Sequence, residues 1–294
     1  MDAEENKRSK ILTHAWVRAV LFILVVSLLG CGRGHKVIQL KGSDTMVNLG
    51  QAWVEAFMQV RPEIAIAVTG GGSGTGIASL IGGTTNIAQA SRNMEPKEIK
   101  MAEKRGVRPK EIHVASDGVV VAVNPANPID KLTINQLSGI FTGKTTNWKE
   151  IGGRDQEIVV LSRERNSGTH VFFLEQVVKL GDKKNKNEFA ASVLMMPSSQ
   201  AIIEEINSNP AAIGYIGLGY LTKKEKPLAI AAKPEGIFVV PSIQSVKTRK
   251  YPISRSLLFY TNGEPSGEVK AFVDYVLSAE GQAIVLKMDF IPIR

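Results

Sequence analysis

The stretch that decides the fold runs Ile64-Ala65-Ile66-Ala67-Val68-Thr69-Gly70-Gly71-Gly72-Ser73-Gly74-Thr75-Gly76-Ile77-Ala78-Ser79-Leu80-Ile81. The alternation Ile64–Thr69 reads as a strand, and Ile77–Ile81 continues as an apolar helix. Between them lies a turn of glycine and small hydroxyls. Glycine lets backbone approach another group closely, and the first N–H groups of the helix point outward with the macrodipole behind them. Such a turn suits an anion. Alone it is weak, because Ser and Thr cap helices everywhere.

The device recurs. Val37–Leu40 is a β-branched run that enters Gly42-Ser43-Asp44-Thr45 and a helix over Met46–Val60, with Leu49, Trp53, Phe57 and Val60 at helical spacing. Glu157–Leu161 reads as a strand, followed by Asn166-Ser167-Gly168-Thr169 and a helix over 170–180. Further strands are expected at 86–89 (ending at Ser91-Arg92), 112–123, 212–216 and 257–261. Further helices are expected at 96–105, 133–141, 199–207, 267–277 and 279–287. Strands separated by helices predict an α/β protein with mostly parallel sheets. Turns at the carboxyl ends of such strands converge on one crevice.

Composition narrows the field. The chain has 294 residues, 44% hydrophobic and 22% charged, which is ordinary globular content and enough for two domains. One cysteine excludes an internal disulfide framework. The histidines at 14, 35, 113 and 170 lack metal-ligand spacing, so neither metal nor cofactor is expected.

Lys7, Arg8, Lys10 and Arg18 precede an apolar run, Ala19–Leu29, broken only by Ser27. That run rises about 16 Å as a helix, too short for a bilayer core of about 30 Å, and fits a secretory leader. It ends in Leu28-Leu29-Gly30-Cys31, which resembles a bacterial lipobox with Cys31 as the lipidated residue. The expectation is a leader over residues 1–30 and an exported chain held by lipid at a bacterial membrane, facing the periplasm or cell exterior. Losing four basic and three acidic residues changes the formal charge from +8 to +7. The basic residues are scattered and aromatic content is 6%, so a nucleic-acid groove is not expected.

Other motifs fail on spacing. Gly143-Lys144-Thr145 ends like a P-loop, but Ser138 stands where its first glycine belongs. Ser167 and His170, three residues apart on one helix, do not set up a nucleophile and base. Trp53, Trp148, Tyr215 and Tyr220 read as packing residues. Arg163, just after a strand, can aim a planar fork at two ligand oxygens, with Glu164 placed to orient an arginine.

Taken together, Gly42-Ser43-Asp44-Thr45, Gly72-Ser73-Gly74-Thr75-Gly76, Arg163-Glu164-Arg165-Asn166-Ser167-Gly168-Thr169, the 140–148 and 213–220 segments and Tyr251-Pro252-Ile253-Ser254-Arg255 resemble phosphate-binding proteins of ATP-binding-cassette importers. The resemblance implies a two-lobed type II periplasmic-binding-protein fold joined by two crossing strands, near 119–123 and 246–257. Lobe I would comprise 36–119 plus 250–294, and lobe II 120–249. It implies a monomeric, non-enzymatic receptor that passes inorganic phosphate to permease subunits. The alternatives are a receptor for sulfate, molybdate or tungstate, or an exported phosphoesterase.

Carried over residue by residue, the binding positions are Ser43, Thr45 and Ser73 with its neighbours Gly74 and Thr75. In the other lobe they are Arg163, Ser167, Gly168 and Thr169. Relatives place an aspartate where this chain has Ser91-Arg92, and an acidic residue where it has Arg165. That loop aspartate takes the proton that hydrogenphosphate carries and sulfate lacks. Asp117 is the expected substitute, as proton acceptor or as partner of Arg92.

Overall fold

The structure, a computed structural model, describes residues 37–293; the expected leader and Cys31 lie outside the described residues. The strands are β1 (Ile38–Gly42), β2 (Ile66–Thr69), β3 (Ile87–Ala90), β4 (Pro109–Val123), β5 (Lys131–Thr133), β6 (Val159–Arg163), β7 (Leu194–Met196), β8 (Ala212–Gly217), β9 (Lys226–Pro227), β10 (Ala229–Ala231) and β11 (Ser254–Asn262). The helices are α1 (Val47–Val60), α2 (Ser73–Ile81), α3 (Pro96–Lys104), α4 (Ile134–Phe141), α5 (Gly168–Phe173), α6 (Ser199–Ser208), α7 (Ile243–Lys247), α8 (Gly267–Leu277) and α9 (Ala279–Lys287).

The main sheet has the order β2-β1-β3-β11-β4-β8-β6-β7. Its flanks are parallel: β1 pairs with β2 and β3, and β6 with β7 and β8. Its centre is antiparallel, since β11 pairs with β3 and β4, and β4 with β8. The expected mostly parallel sheet is therefore a mixed one. The reason is that the long strands β4 and β11 run side by side through the middle and serve both halves.

β4 changes partner as it crosses. Residues 109–118 pair with β11 and residues 119–123 with β8. The two ends of this strand feed different cores. Leu40, Trp53, Phe57, Phe259 and Phe272 pack in one, where Trp53 meets Phe259 edge-on with centroids 5.6 Å apart. Val119–Val123, Phe141, Trp148, Phe173 and Tyr215 pack in the other, where Phe173 stacks on Tyr215 at 3.9 Å. Ile253, just before β11, belongs to the second core and Leu257 to the first. Both crossings thus fall near the positions expected from the sequence. Trp53, Trp148 and Tyr215 are fully buried core residues, as anticipated.

Candidate functional site

Each of the three turns places a hydroxyl at the carboxyl end of a strand. β1 delivers Ser43, held by its backbone N–H on the carbonyl of Gln89 at 2.8 Å. The Ser43 Oγ donates to Ser91 Oγ at 3.0 Å, just beyond β3. Ser91 in turn donates its backbone N–H to Ser73 Oγ at 3.0 Å, and the two hydroxyls lie 3.3 Å apart. Ser73 is the first residue of α2. From the far side of the sheet, Ser167 caps α5, accepting from the N–H groups of Thr169 and His170. The Thr169 Oγ1 meets Thr45 Oγ1 at 2.9 Å. All these hydroxyl residues are at most 2% exposed.

Two glycines make this approach possible. Gly72 adopts φ +92°, and a Cβ there would stand 2.7 Å from the carbonyl oxygen of Asn166. A Cβ on Gly168 would lie 2.2 Å from Ser73 Oγ and 2.6 Å from Ser91 Oγ. Backbone contacts extend the seam: Gly74 N–H donates to Asn166 O at 2.9 Å, and Asn166 Nδ2 to Gly71 O at 2.8 Å.

Arg163 and Arg92 each face a carboxylate. Arg163 donates Nε to Met196 O, Nη1 to Ser199 Oγ and Nη2 to Pro197 O, and its Nη2 is 3.1 Å from Asp44 Oδ2. Its carboxylate partner is Asp44, not the adjacent Glu164. Arg92 faces Glu98, with both Nη atoms at 2.7 Å, so it is drawn toward α3 rather than Asp117. Thr75 is half-exposed and donates to Gly71 O, at the rim of the seam.

Arg255 is the guanidinium wired into the hydroxyl cluster. Its Nη2 donates to Thr45 Oγ1 at 3.2 Å and its Nη1 to Ser91 O at 3.3 Å. Asp117 lies opposite it in the β4–β11 register and accepts from Nε at 3.1 Å and Nη2 at 2.8 Å. The other Asp117 oxygen accepts the Leu218 N–H at 3.0 Å. Three N–H groups from two strand ends thus fix this carboxylate. The expected pairing of Asp117 with Arg92 is corrected: Asp117 faces Arg255 and orients it, while Arg92 takes Glu98. Sequence reasoning missed Arg255 as a site residue, although Tyr251-Pro252-Ile253-Ser254-Arg255 was among the motifs carrying the resemblance.

Burial sets the electrostatics. It pushes the Asp117 carboxyl up against the opposing pull of Arg255, and pushes the Arg255 guanidinium down against the pull of Asp117. His170, 6% exposed beside Ser162 Oγ at 3.1 Å, is pushed by burial to about 4 and stays neutral near pH 7. Each of Arg92, Arg163 and Arg255 faces a carboxylate, so the cluster offers dipoles and hydroxyls more than net charge. A cleft of about 430 Å³ bounded by Arg92, Phe172, Gln176, Lys183 and Arg255 lies alongside. Among the described residues no cluster of His, Cys, Asp and Glu has metal-binding geometry.

Two lobes on crossing strands, with hydroxyls of both meeting at one buried locus, define a solute receptor of the periplasmic-binding type. The family described as the PBP superfamily domain matches residues 30–280. The phosphate-binding protein PstS of Bacillus subtilis is 34% identical over 260 residues, 87% of this chain and 80% of that protein. PstS of Pseudomonas aeruginosa is 30% identical over 269 residues, 86% and 81% of the two chains. A substrate-binding protein from Clostridium perfringens, solved with bound phosphate, superposes with TM-score 0.78 at 32% identity, covering 88% of this chain and all of that one. An ABC-type phosphate transport receptor from Vibrio cholerae gives 0.69 at 29%, covering 86% and 99%. The chain belongs to the PstS family of phosphate-binding proteins within that superfamily. The family is one of binding proteins, not of phosphoesterases.

Proposed function

We propose that this chain is an extracytoplasmic receptor that binds inorganic phosphate between its lobes and delivers it to the permease of an ATP-binding-cassette importer. The observation carrying this reading is the convergence of Ser43, Thr45, Ser73, Ser91, Ser167 and Thr169, from strands on both sides of the crossing, around Gly168 and Arg255. A buried anion needs donors to replace its water. A hydrogen bond to a charged group contributes roughly 1.5–3 kcal/mol net, so several aimed hydroxyl and amide donors offset its desolvation. Paired arginines supply direction without an excess of charge that would prevent release.

The ligand set is Ser43, Thr45, Ser73, Gly74, Ser91, Ser167, Gly168 and Thr169, with Arg255 added, Arg163 and Asp117 behind them, and Thr75 and Arg92 at the margin. Lobe I is assigned to 36–119 plus 250–294 and lobe II to 120–249, in keeping with the two cores. Export with lipid on Cys31 places this monomeric receptor at the membrane its permease occupies. Phosphate is favoured over sulfate, molybdate or tungstate by the PstS relatives. An anion panel in thermal denaturation tests the reading, since a ligand stabilises by RT ln(1 + [L]/Kd). Phosphate should raise the midpoint most, and a larger rise with sulfate or molybdate would reassign the ligand. Turnover of a chromogenic phosphate ester would instead support an enzyme.

A further inference from the structure

The two crossing strands have a second face. Successive residues of a strand point to opposite sides. On β11, Arg255 turns toward the hydroxyl cluster, so its neighbours Ser254 and Ser256 turn away from it. Ser256 lies opposite Ser116 of β4, the neighbour of Asp117. The ribbon that holds the Arg255–Asp117 pair on one side therefore carries serine hydroxyls on the other.

Two local features build this reverse face into a cavity. In the first, Leu257 pairs with Ala115 and Leu258 with His113, which leaves Val114 between them as a bulge in β4. Residues three apart on a regular strand face opposite ways. The bulge brings His113 round to Ser116, with His113 Nε2 3.2 Å from Ser116 Oγ. The second is Gly118, where a Cβ would stand 2.7 Å from Val246 Cγ2, so α7 rests directly on β4. Just past α7 the chain turns at Arg249, whose φ of +54° is uncommon for a residue with a side chain.

The cavity so formed measures about 490 Å³, a size suited to a small organic molecule. Ser116, Ser254 and Ser256 line it from the strands, and Val246, Ile291 and Ile293 supply apolar surface. Lys247 and Arg249 bound it at the end of α7. No Asp or Glu lines it, and neither Lys247 nor Arg249 has an ion-pair partner among the described residues. The arginines around the hydroxyl cluster, by contrast, each face a carboxylate. Two unpaired cations with three hydroxyls favour negative charge. The apolar surface favours a hydrocarbon body, which a bare oxyanion lacks.

We propose that this cavity is a second binding site, which takes an organic anion with one acidic group on an apolar body. Lys247 and Arg249 hold the acidic group, and Val246, Ile291 and Ile293 cover the body. The site lies on the opposite face of the ribbon from the phosphate crevice, and neither cation belongs to the phosphate ligand set.

The probe is anilinonaphthalene sulfonate, an organic monoanion, titrated by fluorescence beside the uncharged dye N-phenylnaphthylamine. The wild-type chain should bind the sulfonate saturably. The double variant Lys247→Glu/Arg249→Glu should weaken the sulfonate at least about tenfold, as expected for lost charged contacts, and leave the neutral dye unchanged. Lys247→Gln/Arg249→Gln removes the charges without reversing them and should weaken the sulfonate in the same direction. Both side chains are exposed, and a thermal midpoint unchanged without dye checks that the variants fold. A wild-type chain that does not bind the sulfonate, or equal affinity in wild type and both variants, would overturn the proposal. So would an equal loss of both dyes, which would trace the effect to packing rather than charge. Saturating phosphate should leave the sulfonate bound; displacement would put the dye in the phosphate crevice and overturn the proposal as well.

Discussion

Thr45 and Thr169 stand 124 residues apart in sequence, yet their Oγ1 atoms are 2.9 Å apart. One follows β1 and the other lies in α5, on either side of the crossing strands. Beside Thr169, Gly168 presents bare backbone to Ser73 and Ser91. Gly168→Ala would drive a methyl to 2.2 Å from Ser73 Oγ. We expect phosphate affinity to fall by a factor on the order of a hundred, as several buried hydrogen bonds of roughly 1–3 kcal/mol are misaligned together. Calorimetry on this variant checks it; near-wild-type affinity would place the ligand elsewhere.

Asp117 and Arg255 are fully buried opposite one another, and removing one charge leaves the other uncompensated. Asp117→Asn should lose roughly 3–5 kcal/mol of folding stability. It should weaken phosphate binding as well, because Arg255 loses the partner that fixes it against Thr45. Denaturant unfolding with a parallel titration measures both. A variant as stable as wild type would mean the pair contributes nothing net.

Arg92 leads to the opposite outcome. Its guanidinium is committed to Glu98, whose carboxyl Arg92 holds below the usual range against the effect of burial. Arg92→Gln should lower stability by roughly 1.5–3 kcal/mol for the lost charged contact. Because Arg92 stands at the margin of the ligand set with its guanidinium on Glu98, phosphate affinity should fall by no more than a few fold. A tenfold loss of affinity would return Arg92 to the ligand.

His170 gives the chain a pH signature. Its folded pKa of about 4 lies below the ordinary 6.5, so the unfolded chain takes up a proton first as pH falls. The contribution of neutral, buried His170 is intact above pH 6.5 and is lost progressively between 6.5 and about 4. Thermal midpoints from pH 7 to 4 should fall less steeply in His170→Gln than in wild type. Parallel curves would show that His170 does not titrate on unfolding.

Much of this was legible in the sequence, for a local reason. Strong periodicity and caps located α1, α3, α8 and α9 within a residue or two, and hydroxyl turns following strands marked Ser43, Thr45, Ser73, Ser167 and Thr169. The short pieces β5, β7, β9 and β10 run two or three residues, too few to show a period, and α7 has only five. Partner choice was hidden because it is non-local. Arg255 meets Asp117 across 138 residues, and only the β4–β11 register makes them neighbours. Glu164 sits beside Arg163 in sequence, whereas Asp44 reaches it through the fold. Spacing along a chain finds turns and caps; it does not find which strand lies opposite.

Calorimetric titration of the chain with phosphate, alongside Ser73→Ala and Thr169→Val, reads the hydroxyl cluster itself. A phosphate site built on these hydroxyls gives saturable one-to-one binding by wild type, loss of about tenfold or more in each variant from one missing charged hydrogen bond, and no comparable heat with sulfate. Phosphate binding unchanged in both variants would contradict it.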